Sequence, residues 1–495
     1  MKFIQLPIKK ITLSLLLICA TSLELLAQYS TPNTGVDWTL DDIATASPST
    51  ITISGNTYTL TENLTVSVDD IVRINTDLTL EIAAGVQITV FGSFFVNADA
   101  VTITAVNQAQ PFQGFRFEEF SNINIQNATI EYGGGLQVLT ETFTLNNCVL
   151  QNNVSGTTTG AVITMSRGIP IITNNSFLFN ANPALSSGAN QQVSAYIFNN
   201  YIEGNNQTNN NRPQINMGPT RVSDTLKIIG NTIIGDRTKI MAGGIAVSTL
   251  VGGSMKVIIE DNIIRDNRYG LTITGTNSYA LIKDNIIEDN NSQNNPNLGG
   301  SGINLNTNST GMVVDVMGNQ IRRNLWGVTM QGQANGNFGD GADNPGGNVF
   351  ADNGNNSLVY ALFNNTPNPV SAMNNCWVEG GLGTLAEAEG VISHVVDNAS
   401  LGEVTFDPVN CENLSIDEPL LSSFMFYPNP AKNAIHFNNN QDFQSLAIYS
   451  LEGKQIYSTE VSQGENRVQL TLPTGMYFVN FIGNNQTIVE KLIIE

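Results

Sequence analysis

From about residue 125 onward the chain repeats one phrase: an Asn, an apolar residue two places later, and an Asn or Asp three places after that. It is plainest in Asn262-Ile-Ile-Arg-Asp-Asn267, Asn285-Ile-Ile-Glu-Asp-Asn290 and Asn319-Gln-Ile-Arg-Arg-Asn324. Its first Asn falls at Asn127, Asn147, Asn175, Asn200, Asn231, Asn262, Asn285, Asn319, Asn348 and Asn375, at intervals of 20 to 34 residues. Two places on stand Thr129, Val149, Phe177, Ile202, Ile233, Ile264, Ile287, Ile321, Phe350 and Trp377; five places on, in eight units, stand Asn152, Asn180, Asn205, Asp236, Asn267, Asn290, Asn324 and Asn353. Intervals of this size signal a repeat architecture. The pattern predicts a parallel β-helix, whose coils are short strands joined by tight turns and stacked about 4.8 Å apart. The apolar column then lies inside and the Asn columns at the turns, where an amide can donate to the Asn of one neighbouring coil and accept from the other. Asn also tolerates the left-handed backbone that tight corners need.

Before the repeats, β-branched and polar residues alternate in Ser49-Thr-Ile-Thr-Ile-Ser54 and Thr57-Tyr-Thr-Leu-Thr61, which predicts strands. The run from Leu78 to Asn97, with turn points at Gly85 and Gly92, resembles the entry coils of secreted right-handed β-helix proteins with the pectin-lyase-like fold. Phe112-Gln-Gly-Phe-Arg-Phe117, Ile130-Glu-Tyr-Gly-Gly-Gly135, Asn374-Asn-Cys-Trp-Val-Glu379 and Val404-Thr-Phe-Asp-Pro408 resemble later coils of that fold. These motifs specify architecture better than activity.

From about Pro419 the composition changes. Phe426-Tyr-Pro-Asn-Pro-Ala-Lys-Asn433, Ile448-Tyr-Ser-Leu-Glu-Gly-Lys-Gln-Ile456, Leu472-Pro-Thr-Gly-Met-Tyr-Phe-Val479 and Lys491-Leu-Ile-Ile494 resemble, in order and spacing, the C-terminal sorting domain of type IX secretion cargo in Bacteroidetes. Taken alone, the same blocks read as strands with turns at Pro428, Gly453 and Gly475, hence a small β-sandwich. The fold class expected is all-β: a right-handed parallel β-helix solenoid followed by a small Ig-like β-sandwich. The expected organisation is a signal peptide over 1–27, an N-terminal lead over 28–49, the β-helix over 50–410, a linker over 411–423 and the sorting domain over 424–495.

The signal peptide is read from Lys2, Lys9 and Lys10 ahead of the apolar run Ile11 to Ala20, with Ala27 as a small residue for cleavage. The run is too short for a membrane-spanning helix, which needs about 20 apolar residues. Cys19 follows Ile18, whereas a lipid-anchor signal places a small residue there. Of the other cysteines, Cys148 and Cys376 lie eight units apart, about 38 Å of stacking, so they cannot pair. Cys376 with Cys411 is a feasible bridge closing the last coil, permitted outside the cytosol.

The formal charge of −21 argues against a nucleic-acid partner. Charged residues are only 13% of the chain. His394 and His436 are its two histidines, too few for zinc sites or Ser-His-Asp triads. Asp340 and Asp343, in the Gly-rich stretch Phe338 to Gly347, lack calcium-hand spacing and read as a solvated turn. No metal or other cofactor is expected, and no catalytic residue is identified. Lyase chemistry stays open as an alternative, since it needs only a Lys, Arg or Tyr base and a cation beside a uronate carboxylate.

Lysines and arginines concentrate in one band, with 11 of them between Arg212 and Arg323. In this band Arg265, Glu288 and Arg322 share a column, as do Asp266, Asp289 and Arg323, and those six read as an ion ladder with each pair worth about 0.2–1 kcal/mol. Arg268, Tyr269 and Lys283, on consecutive coils, are the candidate substrate-binding residues, expected to hold an anionic polysaccharide along a flat face. Tyr269 and Trp326 are expected to be exposed aromatics, and inserted loops are expected at Asn205 to Pro213, Asn290 to Gly302 and Gly332 to Gly347. The function expected is that of a secreted or cell-surface protein, exported by type IX machinery, that binds extracellular polysaccharide or acts as a surface interaction protein. The alternative is a lyase or related enzyme acting on acidic glycans.

Overall fold

A computed structural model of the protein describes residues 28–411, 426–427, 429, 431–439, 443–450, 454–483 and 487–494. The signal peptide read over 1–27, the linker apart from Cys411, and the turns read at Pro428 and Gly453 lie outside the described residues. Two compact units divide the chain at Cys411 and Glu412.

The first unit is a parallel β-helix. Its described strands stack into three long sheets of 14, 13 and 11 strands, and along most of the stack each coil gives one strand to each sheet. Pairing along the stack is parallel, apart from the hairpin of Ile51–Ser54 with Thr57–Leu60 at the first coils. The residues read as a lead carry strands that pair with these coils, Gln28–Ser30 onto Asn63–Val66 and Asp37–Trp38 onto Ile71–Ile74. A short helix, Leu40–Ala46, sits beside them with Leu40 and Ile43 buried in the common core; Thr39 and Asp42 cap its start reciprocally.

Alternation of buried and exposed residues along each strand explains the core. In the 13-stranded sheet Leu150, Phe177, Ile202, Ile233, Ile264, Ile287, Ile321 and Phe350 follow one another in register, each buried. Trp377 ends this column, stacked on Phe350 with ring centroids 4.8 Å apart.

The Asn columns form two amide ladders at the turns. In the first, each Asn gives both its main-chain N–H and its Nδ2 to the Oδ1 of the next, running unbroken from Asn175 to Asn375. A buried N–H left without a partner would cost about 1–3 kcal/mol, so each rung satisfies donors the turn would otherwise orphan. The first two units depart from the expected register by one residue. Asn127 and Asn147 occupy left-handed corners (φ +53°), as do Asn174, Asn199 and Asp261, while Cys148 takes the ladder position and accepts no side-chain amide there. Thr129 and Val149 accordingly face outward, and Ile130 and Leu150 fill the core.

The second ladder runs Asn153, Asn180, Asn205, then Asn267, Asn290, Asn324 and Asn353. Asn152 is its left-handed neighbour, not a rung. At the coil of Asp236 the rung comes from elsewhere: Gln214 accepts from Asn205 at 3.1 Å and donates to Asn267 Oδ1 at 3.0 Å. Asp236 faces out and accepts from Gln207 and Thr238 instead.

A disulfide joins Cys376 to Cys411 and closes the last coil, with their Cα atoms 4.5 Å apart. Cys148 is a buried free thiol, pushed up to about 12 by desolvation. His394 is structural: its Nδ1 accepts the Val404 N–H at 3.0 Å, which leaves Nε2 to donate to Glu389.

The second unit holds two antiparallel sheets. One has strands Phe426–Tyr427, Ala434–Asn439 and Gly464–Gln469; the other has Phe443–Tyr449, Gln455–Glu460, Gly475–Gly483 and Thr487–Ile494. They share a core centred on Phe437, Leu446, Val479 and Phe481. Among the described residues, no helix is long and apolar enough to cross a membrane.

Candidate functional site

A cleft of about 380 Å³ opens on the solvent face of the 14-stranded sheet. Its floor comes from strands Leu271–Thr274, Ser301–Thr307, Trp326–Gly332 and Leu362–Asn365, whose inward residues Leu271, Ile303, Val328 and Leu362 anchor the sheet in the core. The alternation that buries those residues turns Thr272, Asn304, Thr329 and Phe363 outward in one column.

The polar members of that column are bonded to each other. Asn304 Nδ2 donates to Thr272 Oγ1 at 2.8 Å, and Thr329 Oγ1 donates to Asn304 Oδ1 at 2.9 Å. With the Thr329 proton so placed, the Ser301 hydroxyl donates to Thr329 at 2.9 Å. The result is a line of neutral hydroxyls and an amide of fixed orientation.

Trp326 and Phe363 form the wall. Their rings stack with centroids 5.2 Å apart, and Tyr360 backs the indole at 4.6 Å. Trp326 Nε1 donates to the Pro296 carbonyl at 3.0 Å, so the inserted loop between the ladder residues Asn290 and Asn324 fixes the indole. Trp326 is therefore half-buried rather than fully exposed, as is Tyr269. The Tyr269 ring lies over Gly243, where a Cβ would come within 2.2 Å of it. Burial holds the Tyr269 hydroxyl protonated, with only a partial opposing effect from Arg268.

Arg268 lines the same cleft, buried to 7% exposure. Its Nη1 donates to Asn211 Oδ1 and its Nη2 to the Leu298 carbonyl, while Nε has no partner. Asn211 and Leu298 belong to two of the inserted loops read from the repeat spacing.

Lys283 is not brought to this place. It stands on the 11-stranded sheet, where Nζ lies 2.8 Å from Glu260 and 3.0 Å from Asp284; those partners raise its pKa. Several other cations of the band are paired in the same way. Arg237 and Arg265 meet Asp266, Arg323 meets Asp289 and Glu288, and Arg322 meets Glu379. Arg265, Glu288 and Arg322 do share a column, while Arg265 pairs with Asp266, Glu288 with Arg323 and Arg322 with Glu379 outside it. Asp340, read as part of a solvated turn, spends its carboxylate on the N–H groups of Ala342 and Asn344, which lower its pKa.

Sequence reasoning singled out Arg268, Tyr269 and Trp326 and missed Ser301, Asn304, Thr329, Phe363 and Asn211. Thr and Asn occupy outward positions on all three sheets, so nothing local distinguishes those in the cleft.

The family model for secretion system C-terminal sorting domains matches residues 425–495. No curated protein matches the chain. The sorting domain indicates export through type IX machinery to the cell surface or the extracellular space.

Proposed function

We propose that this exported β-helix is an extracellular glycan-binding protein whose ligand docks in the cleft of the 14-stranded sheet. The observation that carries the reading is the aromatic wall of Trp326 and Phe363 beside the neutral line Thr272, Asn304, Thr329 and Ser301. A pyranose ring has an apolar C–H face that stacks on an indole, and hydroxyls around its rim that exchange hydrogen bonds with oriented hydroxyls and amides. A rigid solenoid keeps both sets of groups in place before the ligand arrives, which limits the entropy lost on binding.

Binding is favoured over cleavage by the make-up of the lining, which contains no Asp, Glu or His. A lyase would need a base there. Tyr269 is held protonated by its burial, and the Arg268 guanidinium is a permanent cation engaged at both ends.

The test is a panel of bacterial, algal and plant polysaccharides presented to the parent protein and to Trp326→Ala. Losing the indole should weaken binding of any captured glycan at least tenfold, with no rise in ultraviolet absorbance from unsaturated uronic ends in either protein. Equal capture by parent and variant would remove the cleft from the reading.

A further inference from the structure

We infer that the glycan bound in this cleft carries an oxyanion, a carboxylate or a sulfate, that docks against Arg268. The inference rests on the glycan reading and adds to it the charge of the ligand.

Two guanidinium groups are buried among the described residues, and they are treated differently. Arg322, 3% exposed, is clasped by both oxygens of Glu379, each at 2.7 Å. Arg268 has no carboxylate partner among the described residues. Both ends of its guanidinium meet neutral acceptors, Asn211 Oδ1 and the Leu298 carbonyl, and Nε–H is left unbonded. A desolvated cation without a counter-charge is costly, and Arg cannot relieve the cost by losing its proton. The same low-dielectric surroundings strengthen its attraction for an incoming anion.

The approach to Arg268 is shaped by Gly299. A Cβ at that position would stand 3.2 Å from both Cγ and Nε of Arg268, and the Gly299 backbone is outside the left-handed region that favours glycine. The backbone therefore does not call for glycine here; its close packing against the buried, unpartnered Nε does. One loop holds both halves of the site, since Pro296 accepts from Trp326 and Leu298 accepts from Arg268. A sugar stacked on Trp326 would present its substituents toward the guanidinium in the same cavity.

The experiment uses the full secreted chain and two matched pairs of probes at constant ionic strength: galacturonate oligosaccharides with their carboxyl-reduced forms, and sulfated galactan oligosaccharides with their desulfated forms. The parent should bind the acidic member of one pair at least tenfold more tightly, and the pair that shows the preference identifies carboxylate or sulfate. In Arg268→Gln the preference should fall to within twofold. Should that variant fold poorly, Gly299→Ala keeps the guanidinium and crowds its Nε; it should reduce the preference for the acidic member at least fivefold. Free glucuronate or sulfate should raise the melting temperature of the parent and not that of Gly299→Ala. Equal affinity for acidic and neutral members, lost together in Trp326→Ala, would overturn the anion inference and leave the glycan reading standing. An acidic preference that survives in both Arg268→Gln and Gly299→Ala would also overturn it, as would the absence of any response to the oligosaccharides and the free anions.

Discussion

Asn262 donates to Asn285 twice, its Nδ2 and its main-chain N–H reaching the same Oδ1 at 2.9 and 3.0 Å. Asn285 in turn gives Nδ2 to Asn319 Oδ1 and to the carbonyls of Ile259 and Lys283. Asn285→Ala removes both the acceptor and the donors of this rung and leaves the Asn262 N–H buried without a partner. The expected loss is about 3 kcal/mol, read from denaturant unfolding, with amide exchange accelerated at Asn262. A change under about 1 kcal/mol would show that the ladder contributes little beyond the strands.

Asp70 fastens the first coil. Its Oδ1 accepts from the main-chain N–H groups of Thr34, Gly35 and Val36, and its Oδ2 from Asn33. Burial alone would raise its pKa, but hydrogen bonds from Thr31 and from these N–H groups outweigh that and hold it below the ordinary value. A depressed folded pKa means the carboxylate stabilises the coil at pH values above its unfolded pKa of about 3.9. That contribution is lost as pH falls through the lower folded value. Amide exchange at residues 33–36 should therefore rise sharply below about pH 4 relative to the rest of the solenoid. In Asp70→Asn the segment should exchange fast at neutral pH and lack the acid-dependent step.

The bridge between Cys376 and Cys411 closes a segment with a sequence separation of 35 residues. Removing a cross-link of that span costs about 3–4 kcal/mol on chain-entropy grounds. Cys411→Ser should lower the melting temperature of the β-helix, and a thiol reductant should bring the parent down to the same value. A parent indifferent to reductant would indicate that packing of Trp377 on Phe350 holds the last coil unaided.

Export by the type IX route is expected to end with removal of the sorting domain. Mass spectrometry of the extracellular form should then find peptides throughout the solenoid and none from Leu446 to Glu495. Intact sorting-domain peptides on every extracellular molecule would count against processing.

Much of the fold could be read from the chain because stacking imposes one requirement on each column. The run from Phe177 to Trp377 stays apolar since every copy enters the same core. Register failed by one residue at Asn127, Asn147 and Asn152, and the cause is chemical. Asn suits two different places at these corners, the left-handed residue and the ladder rung beside it, and only a neighbouring coil shows which is which. The Asp236 coil was misassigned for a related reason: its rung is Gln214, more than 20 residues earlier in the chain. The loops around the cleft were legible as long intervals between repeats. Arg268 reads in the sequence as a candidate contact in a cationic band; the structure shows it buried, with no carboxylate partner among the described residues. That Lys283 lies away from the cleft and pairs with Glu260 follows from strand register, which places residues 23 apart side by side.

The second ladder ends on Asn353, which is followed by Gly354. This is the dipeptide in which the side-chain amide is most readily lost with age, through attack by the following main-chain nitrogen. Here that nitrogen is committed to the Asn324 carbonyl, while the amide is bonded through Nδ2 to Ile321 and through Oδ1 to Asn324. Nucleophile and target are thus held in place for as long as the coil is folded. Asn335, exposed ahead of Gly336, sits in no such lattice. For a protein exported from the cell, the stacked amides act as a preservative: the reaction open to Asn335 is restrained at Asn353.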